Sequence, residues 1–157
     1  MATYSLGHED AELARLEAQA DFLREPTRVL LEASGLGPRM RVLDLGTGLG
    51  HVAAAVADLV GPDGEVVGLD IDPRTLEVAR ARTAHLPHVR FVQADVTRWR
   101  DDEPFDAVVG RLILFHLPDP VGALRHHLAA VRPGGRVVML DYDIGGLRAE
   151  PGDPFTD

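Results

Sequence analysis

A glycine-rich turn follows the apolar run 40–45, and it is the first feature of this sequence that could bind a ligand. Gly46, Gly48 and Gly50 are spaced G-x-G-x-G, and glycines there let the backbone turn tightly and approach a ligand closely. A helix beginning at His51 would offer free N–H groups to an anion. A tight strand-to-helix turn that binds nothing is the alternative interpretation of this pattern.

Two residues beside the glycines distinguish between possible cofactors. His51 occupies the position at which the dinucleotide-binding fingerprint has its third glycine. Asp44 precedes the first glycine by two residues, and a carboxylate there would oppose a pyrophosphate but suits a ligand with an ammonium and a sulfonium group. The pattern therefore favours S-adenosylmethionine (SAM) over NAD. A nicotinamide-dependent oxidoreductase stays as a rival interpretation.

Asp70 ends a second apolar run, 65–70, and stands 24 residues after Gly46. A carboxylate at this place in a nucleotide-binding fold can accept hydrogen bonds from both hydroxyls of a ribose. Its alternative role is to cap the following helix, but Asp72, directly before Pro73, suits that role better. The ribose-binding interpretation of Asp70 is therefore favoured.

Asp95 ends a third run, 89–95, and can accept a hydrogen bond from an adenine amino group. The apolar side chains of Ile71 and Val96 could contact the two faces of that ring. Considered by itself, Asp95 is better interpreted as a solvated loop carboxylate. Its place beside the two other aspartates, at neighbouring strand ends, favours the adenine-binding interpretation.

The fourth apolar run, 105–110, leads into two further candidates, Arg111 and His116. Either side chain could face a methyl acceptor, and His116 is the best local candidate for a catalytic base. Equally good interpretations are an ion-pair partner for Arg111 and a helix-end cap for His116. His126 and His127 fall within the next predicted helix, and we assign them no function.

The elements that must position these residues alternate along the chain. Apolar strands separated by helices indicate a parallel sheet covered on both faces. Right-handed crossovers then predict a doubly wound, mainly parallel Rossmann-like α/β fold of about five strands. The predicted strands are 40–45, 65–70, 89–95, 105–110 and 136–141, with RPGG at 132–135 as a turn; the predicted helices are 9–24, one from Pro26 to Gly35, 51–60, 72–86 and 119–131.

Composition narrows the range of functions. The chain has 157 residues, no cysteine and a net charge of −9 without a basic face, which argues against disulfides, thiolate metal sites and nucleic-acid binding. No apolar run is long enough to span a membrane and the N-terminus is not a signal peptide, so we predict a cytoplasmic protein. We predict no metal site. All cations are arginine, which fits the codon bias of a GC-rich bacterial genome.

With these features together, the sequence resembles the class I SAM-dependent methyltransferases, in particular the bacterial group similar to the ubiquinone/menaquinone-biosynthesis enzymes. The stretches that carry the resemblance are VLDLGTGLG, VVGLDIDP, VRFVQADV, FDAVVGRLILFHLPDP and RPGGRVVMLD. They follow the family's order and spacing and cover residues 40–141. Five such motifs are much more specific than one glycine-rich turn.

The resemblance implies transfer of a methyl group to an O, N or C atom of a small-molecule acceptor. It implies that residues 37–142 form the SAM-binding core and that residues 1–36 form a helical lid, with 143–157 as a mobile tail. It also implies a set of cofactor-binding residues. These are Asp44, Gly46, Thr47, Gly48 and Gly50 at the methionine end, Asp70 at the ribose, Ile71, Asp95 and Val96 at the adenine, and Arg111 beside the cofactor.

The sequence departs from the family pattern after the fifth strand. Family members usually have two more strands, whereas the last 16 residues of this sequence have no strand pattern. This favours a second rival interpretation, a non-catalytic SAM-binding or assembly module. It also predicts an uncovered apolar edge at 136–141, because open sheet edges are usually protected. We therefore predict a homodimer in which two copies pair through that strand.

Overall fold

Helices and strands alternate along the chain in the computed structural model, which describes residues 3–143, with side chains from residue 11 onward. The helices are α1 (Thr3–Phe22), α2 (Arg24–Ala33), α3 (His51–Val60), α4 (Pro73–Arg82) and α5 (Pro120–Leu128), with a 3₁₀ turn at Leu114–His116. The strands are β1 (Arg41–Leu45), β2 (Glu65–Asp70), β3 (Val89–Gln93), β4 (Phe105–Arg111) and β5 (Val131–Leu140). The predicted tail lies outside the described residues from position 144 onward.

The strands form one sheet in the order β3-β2-β1-β4-β5, and every pair is parallel. The predicted doubly wound α/β fold is confirmed. Strand order reverses between β1 and β4, where Asp44 lies opposite Val109 and Leu45 opposite Gly110. Ligands of such sheets bind beyond the carboxyl ends of the strands at this reversal. The fold therefore places the glycine-rich turn and the end of β4 at the preferred ligand site.

Alternate residues of the central strands enter two separate cores, because side chains along a strand point to opposite faces. On one face Val42 and Val66 pack against helix α3, whose Val56 is fully buried. On the other face Leu43 and Val67 join a second core. Burial on both faces explains why these strands are apolar throughout rather than alternating.

Helices α4 and α5 begin where the sequence predicts and end earlier than predicted. Asp72 caps α4 by accepting a hydrogen bond from the Arg74 N–H at 2.9 Å, with Pro73 at the first helical position. Helix α4 ends at Arg82 instead of 86, because the next residue, Thr83, turns its hydroxyl back to the carbonyl of Ala79. Helix α5 likewise ends at Leu128 instead of 131, since the chain from residue 130 already pairs with β4.

Strand β5 begins at Val131 instead of Arg136, so the predicted RPGG turn at 132–135 is wrong. Val131 pairs with Phe105, and the register then shifts before Arg136 pairs with Ala107. The glycines make this irregularity possible: Gly134 has φ +80°, and a Cβ on Gly135 would lie 2.7 Å from the carbonyl oxygen of Asp106. The stretch is a bulge inside the strand.

Strand β5 lies at one edge of the sheet formed by the described residues. The side chain of Val137, in the middle of that strand, is 38% exposed. Within the described part of the chain, no helix combines the length and apolar character needed to cross a membrane.

Candidate functional site

A cavity of about 420 Å³ opens at the carboxyl ends of β1, β2 and β4. Its floor is the glycine-rich turn, and Asp70, Arg111 and His116 reach it from β2, β4 and the 3₁₀ turn. Helix α1 closes it from above with Leu16 and its neighbours. This volume lies within the range of small-molecule sites.

The three glycines of the turn have left-handed backbone angles, with φ +64° at Gly46, +52° at Gly48 and +79° at Gly50. Other residues adopt such angles only at a cost. A side chain on Gly46 would also collide with Ile113, which approaches to 2.6 Å. Among the described residues, no atom beyond its chain neighbours lies within 4 Å of the corresponding position on Gly48. Gly48 also lines the cavity, as expected of a backbone that a ligand approaches.

Asp44 lies beneath this turn and is 1% exposed. Neither carboxylate oxygen has a hydrogen-bond partner within the described residues. Burial raises the pKa of Asp44 to about 7, and the nearby Thr47 hydroxyl and Arg111 guanidinium offset only part of that rise. A buried carboxylate without a partner is costly, so it indicates a group that a cationic ligand would complete.

Asp70 joins the turn to β2. One carboxylate oxygen accepts a hydrogen bond from the Gly48 N–H at 2.8 Å, and the other accepts from the Asp72 N–H at 3.0 Å. The carboxylate also lines the cavity. Each oxygen retains a second lone pair, so Asp70 can fix the turn and still accept from ribose hydroxyls.

A second cavity, of about 240 Å³, adjoins the first. Its walls contain all three residues predicted to bind adenine: Ile71, 69% exposed, Asp95, and Val96, 7% exposed. The Asp95 carboxylate accepts hydrogen bonds from the N–H and the hydroxyl of Thr97, which lower its pKa. The residues shared by the two cavities are Gly46, Asp70, Ile71, Ile113 and His116. Together the cavities suit an elongated ligand.

Arg111 ends β4 and reaches the larger cavity from the side of helix α2. Its guanidinium donates a hydrogen bond to the Thr27 hydroxyl at 3.1 Å. Burial lowers the pKa of Arg111, and the charge of Asp44 opposes that change. Among the described residues no carboxylate comes within ion-pair distance of this guanidinium. The ion-pair role considered for Arg111 is therefore not seen here, and the group can receive an anion.

His116 lies in the 3₁₀ turn, one short element before α5, and not at the start of that helix. His116 is exposed and lines both cavities, and its imidazole contacts the Phe115 ring with a centroid separation of 4.0 Å and the ring planes tilted by 38°. Asp119 and Pro120 begin α5 without it: the Asp119 carboxylate accepts a hydrogen bond from the Gly122 N–H. His116 is therefore free of the capping role that the sequence left open.

Two residues at the site carry no recognisable sequence signal. Glu17 of α1 contacts both His51 and Arg82, at the entrance to α3 and in α4. His127 is 2% exposed and hydrogen-bonds the carbonyl of Val96. His127 thereby fixes the loop that forms the adenine-side cavity. Neither residue belongs to a motif, and only the helical packing brings each to the site.

The fold and site together define a doubly wound α/β domain with a ligand cavity at the carboxyl ends of its strands, above a glycine-rich turn and a buried aspartate. A family model described as "Methyltransferase domain" matches residues 36–151, most of the chain. The chain belongs to this family of SAM-dependent methyltransferases. The fold and the cofactor class predicted from the sequence are both confirmed.

Individual relatives agree with this assignment. The chain is 37% identical over 132 residues to the ubiquinone/menaquinone biosynthesis C-methyltransferase UbiE of Ectopseudomonas mendocina, covering 82% of this chain and 49% of that protein. It is similar in structure to the YcgJ protein of Bacillus subtilis, with a TM-score of 0.68, 27% identity and coverage of 76% and 51%.

A further solved relative contains a product of methyl transfer. The N-methyltransferase NodS of Bradyrhizobium japonicum, in complex with S-adenosyl-L-homocysteine (SAH), gives a TM-score of 0.67 at 25% identity, covering 75% of this chain and 61% of that one. The chain spans between about two fifths and one half of the length of two sequence relatives, 38% in one and 49% in the other.

Proposed function

We propose that the protein binds SAM in the two adjoining cavities and transfers its methyl group to a small-molecule acceptor. The observation that supports this most directly is Asp44, a fully buried carboxylate whose oxygens find no partner among the described residues. Asp44 lies beneath the turn and outside the lining of both cavities, so the cofactor's ammonium group would meet its charge across the turn. The ribose would then lie at Asp70 and the adenine beside Ile71 and Val96.

When bound, SAM supplies a methyl group on a sulfonium, which is already an activated leaving group. The protein's task is therefore to orient the reactants and exclude water. Helix α1 covers the cavity and reduces access of water to it. We propose Arg111 as the group that holds the cofactor's carboxylate, because it lines the cavity and no carboxylate of the described residues lies within ion-pair distance of its guanidinium.

We propose His116 as the base for an acceptor that arrives protonated. The imidazole contacts the ring of Phe115, and His116 lines both cavities. His116 would accept the acceptor's proton; the bound cofactor would supply the methyl group to the acceptor and would keep the electron pair of the broken bond on sulfur. The UbiE relative is named for methylation at carbon, so carbon is the acceptor atom we propose to test first.

Calorimetry with SAM, SAH and NAD tests the cofactor assignment. We expect binding of SAM and SAH and none of NAD, because the Asp44 carboxylate opposes a pyrophosphate. Binding of NAD without binding of SAM would support the oxidoreductase instead.

Formation of SAH from SAM in the presence of phenols, amines or thiols then separates an enzyme from a non-catalytic binding module, which would bind SAM and never consume it.

Replacing Asp70 should weaken SAM binding without unfolding the protein. Asp70→Ala removes an ionised acceptor for two hydroxyls, a loss of about 2–3 kcal/mol, or roughly 30- to 150-fold in dissociation constant. Asp72→Asn is the matched control, because it removes the neighbouring carboxylate charge and keeps a side chain that can cap α4. Its affinity should stay within about twofold of wild type. Equal losses in both variants would contradict the ribose-binding role.

The position of β5 at the edge of the sheet formed by the described residues supports a separate proposal, that two copies of the chain pair through this strand. Identical strands can run antiparallel about a two-fold axis, and the half-exposed Val137 would lie at the contact. Light scattering after size exclusion should show a dimer, and Val137→Asp should dissociate it by bringing two carboxylates together. A wild-type monomer at concentrations on the order of tens of micromolar would exclude this assembly.

A further inference from the structure

Helix α1 covers the cofactor cavity although little of it is buried. Of its residues from 11 onward, only Ala20 is buried, at 4% exposed. Its cavity-facing residues are Arg15, Leu16, Gln19 and Ala20. An element with so little buried apolar surface opens locally at low cost. Specific polar contacts therefore have a large influence on where α1 lies.

One residue of α1 supplies such contacts. The Glu17 carboxylate meets the imidazole Nε2 of His51 at 2.8 Å and also pairs with the guanidinium of Arg82. His51 is the first residue of α3, directly after the glycine-rich turn. Arg82, near the end of α4, also donates a hydrogen bond from Nε to the Leu49 carbonyl at 2.9 Å, inside the turn. The Glu17 carboxylate thus connects α1 to His51, which follows the glycine-rich turn, and to Arg82, which binds a carbonyl within the turn.

We propose that Glu17, His51 and Arg82 form a clamp that couples the position of α1 to the conformation of the glycine-rich turn. Glu17 is then a positioning residue: it holds α1 closed over the cavity and holds Arg82 where it can fix the Leu49 carbonyl. The three side chains are only partly exposed, at 41%, 19% and 30% for Glu17, His51 and Arg82, so water screens these contacts less than those of a surface pair.

The geometry predicts a kinetic signature that differs from that of a direct ligand contact. Loss of a direct contact raises the dissociation rate of the ligand and leaves its association rate nearly unchanged. Loss of a lid clamp raises both rates, because entry and exit pass through the same open state. The kinetic part of this inference rests on the proposed SAM-binding function; the opening of α1 itself does not.

The test compares Glu17→Gln with wild type by two measurements. Limited trypsin digestion, followed by mass spectrometry, measures cleavage after Arg15 in the ligand-free protein. Surface plasmon resonance with SAH measures both rates. We expect cleavage and both SAH rates to rise about tenfold, the usual effect of losing one partly exposed charge-assisted hydrogen bond. Glu25→Gln is the matched control, because it removes an exposed carboxylate that pairs with Arg28 on α2, and neither residue lines the two adjoining cavities.

The results of these measurements distinguish failure of the clamp from failure of the proposed SAM-binding function. Faster cleavage after Arg15 with both SAH rates raised supports the clamp. Unchanged cleavage, or a rise in the dissociation rate alone, overturns it. Faster cleavage in a protein that binds neither SAM nor SAH supports the opening of α1 and contradicts the proposed function instead. Arg82→Gln supplies an independent variant: it should reproduce the faster cleavage, and wild-type cleavage in that variant would also overturn the clamp.

Discussion

Replacing Asp44 by Asn should stabilise the ligand-free protein at pH 8 and greatly weaken its binding of SAM. The stabilisation follows from the buried charge. A pKa raised from 3.8 to about 7 makes the ionised carboxylate unfavourable in the folded state by about 4 kcal/mol at most. The weaker binding follows from loss of the anion that the ammonium would meet, at about 2–3 kcal/mol or roughly 30- to 150-fold.

The stability difference should depend on pH in a defined direction. Between about pH 4 and pH 7 the folded protein keeps a proton on Asp44 that the unfolded chain has released. The contribution of Asp44 to folding therefore becomes more unfavourable as pH rises through this window and is constant above it. The advantage of Asp44→Asn should be below about 1 kcal/mol at pH 4 and reach its maximum near pH 8.

Urea unfolding at several pH values measures the difference in stability between Asp44→Asn and wild type. Asp106→Asn is the comparison variant, because we expect the opposite change in stability. Asp106 is also buried, at 6% exposed, but its carboxylate accepts a hydrogen bond from the Arg41 N–H and pairs with Arg132. Removing a paired buried charge destabilises a protein. We expect Asp106→Asn to lower stability and Asp44→Asn to raise it. A loss of stability in both would show that Asp44 is a structural residue.

The contrast between these two aspartates shows what could be read from the sequence and what could not. The sequence pattern predicted the parallel sheet and the place of Asp44 and Asp70, because apolar runs that end in glycine or aspartate have few other interpretations in an α/β fold. It also predicted the caps of α4 and α5, since an Asp-Pro pair acts locally. These features depend on neighbours within a few residues.

Features that depend on distant neighbours could not be predicted in this way. Strand β5 begins five residues before the predicted start because Val131 pairs with Phe105 on β4, 26 residues away in the chain. Glu17 lies 34 and 65 residues from the two side chains it contacts. In the sequence, His127 cannot be distinguished from its helical neighbour His126. Only the structure shows its hydrogen bond to the Val96 carbonyl. Pairing across the fold, and not local propensity, decides each of these.

Gly48 should prove to be the position in the turn at which a single methyl group abolishes SAM binding. Its φ of +52° makes any side chain unfavourable, but no neighbour within the described residues would collide with one. Gly48 lines the cavity, so in Gly48→Ala we expect the methyl group to occupy space that the cofactor needs. We expect loss of at least about 100-fold in SAM affinity, since overlap with a ligand is more costly than loss of one hydrogen bond.

Gly134→Ala separates this effect from backbone strain. Gly134 also has a positive φ, +80°, and also has no atom within 4 Å of its missing Cβ, but it lies in the bulge of β5 at the opposite end of the sheet. Both substitutions should lower the free energy of unfolding by about 1–2 kcal/mol, the cost of a left-handed angle in a residue with a side chain. Only Gly48→Ala should lose SAM in calorimetry. An equal loss of SAM binding in Gly134→Ala would show that the loss reflects general destabilisation. Normal SAM binding in Gly48→Ala would show that the cofactor does not lie against the turn. Because strain is similar in the two variants, the difference between their affinities measures how closely the ligand approaches the backbone at Gly48.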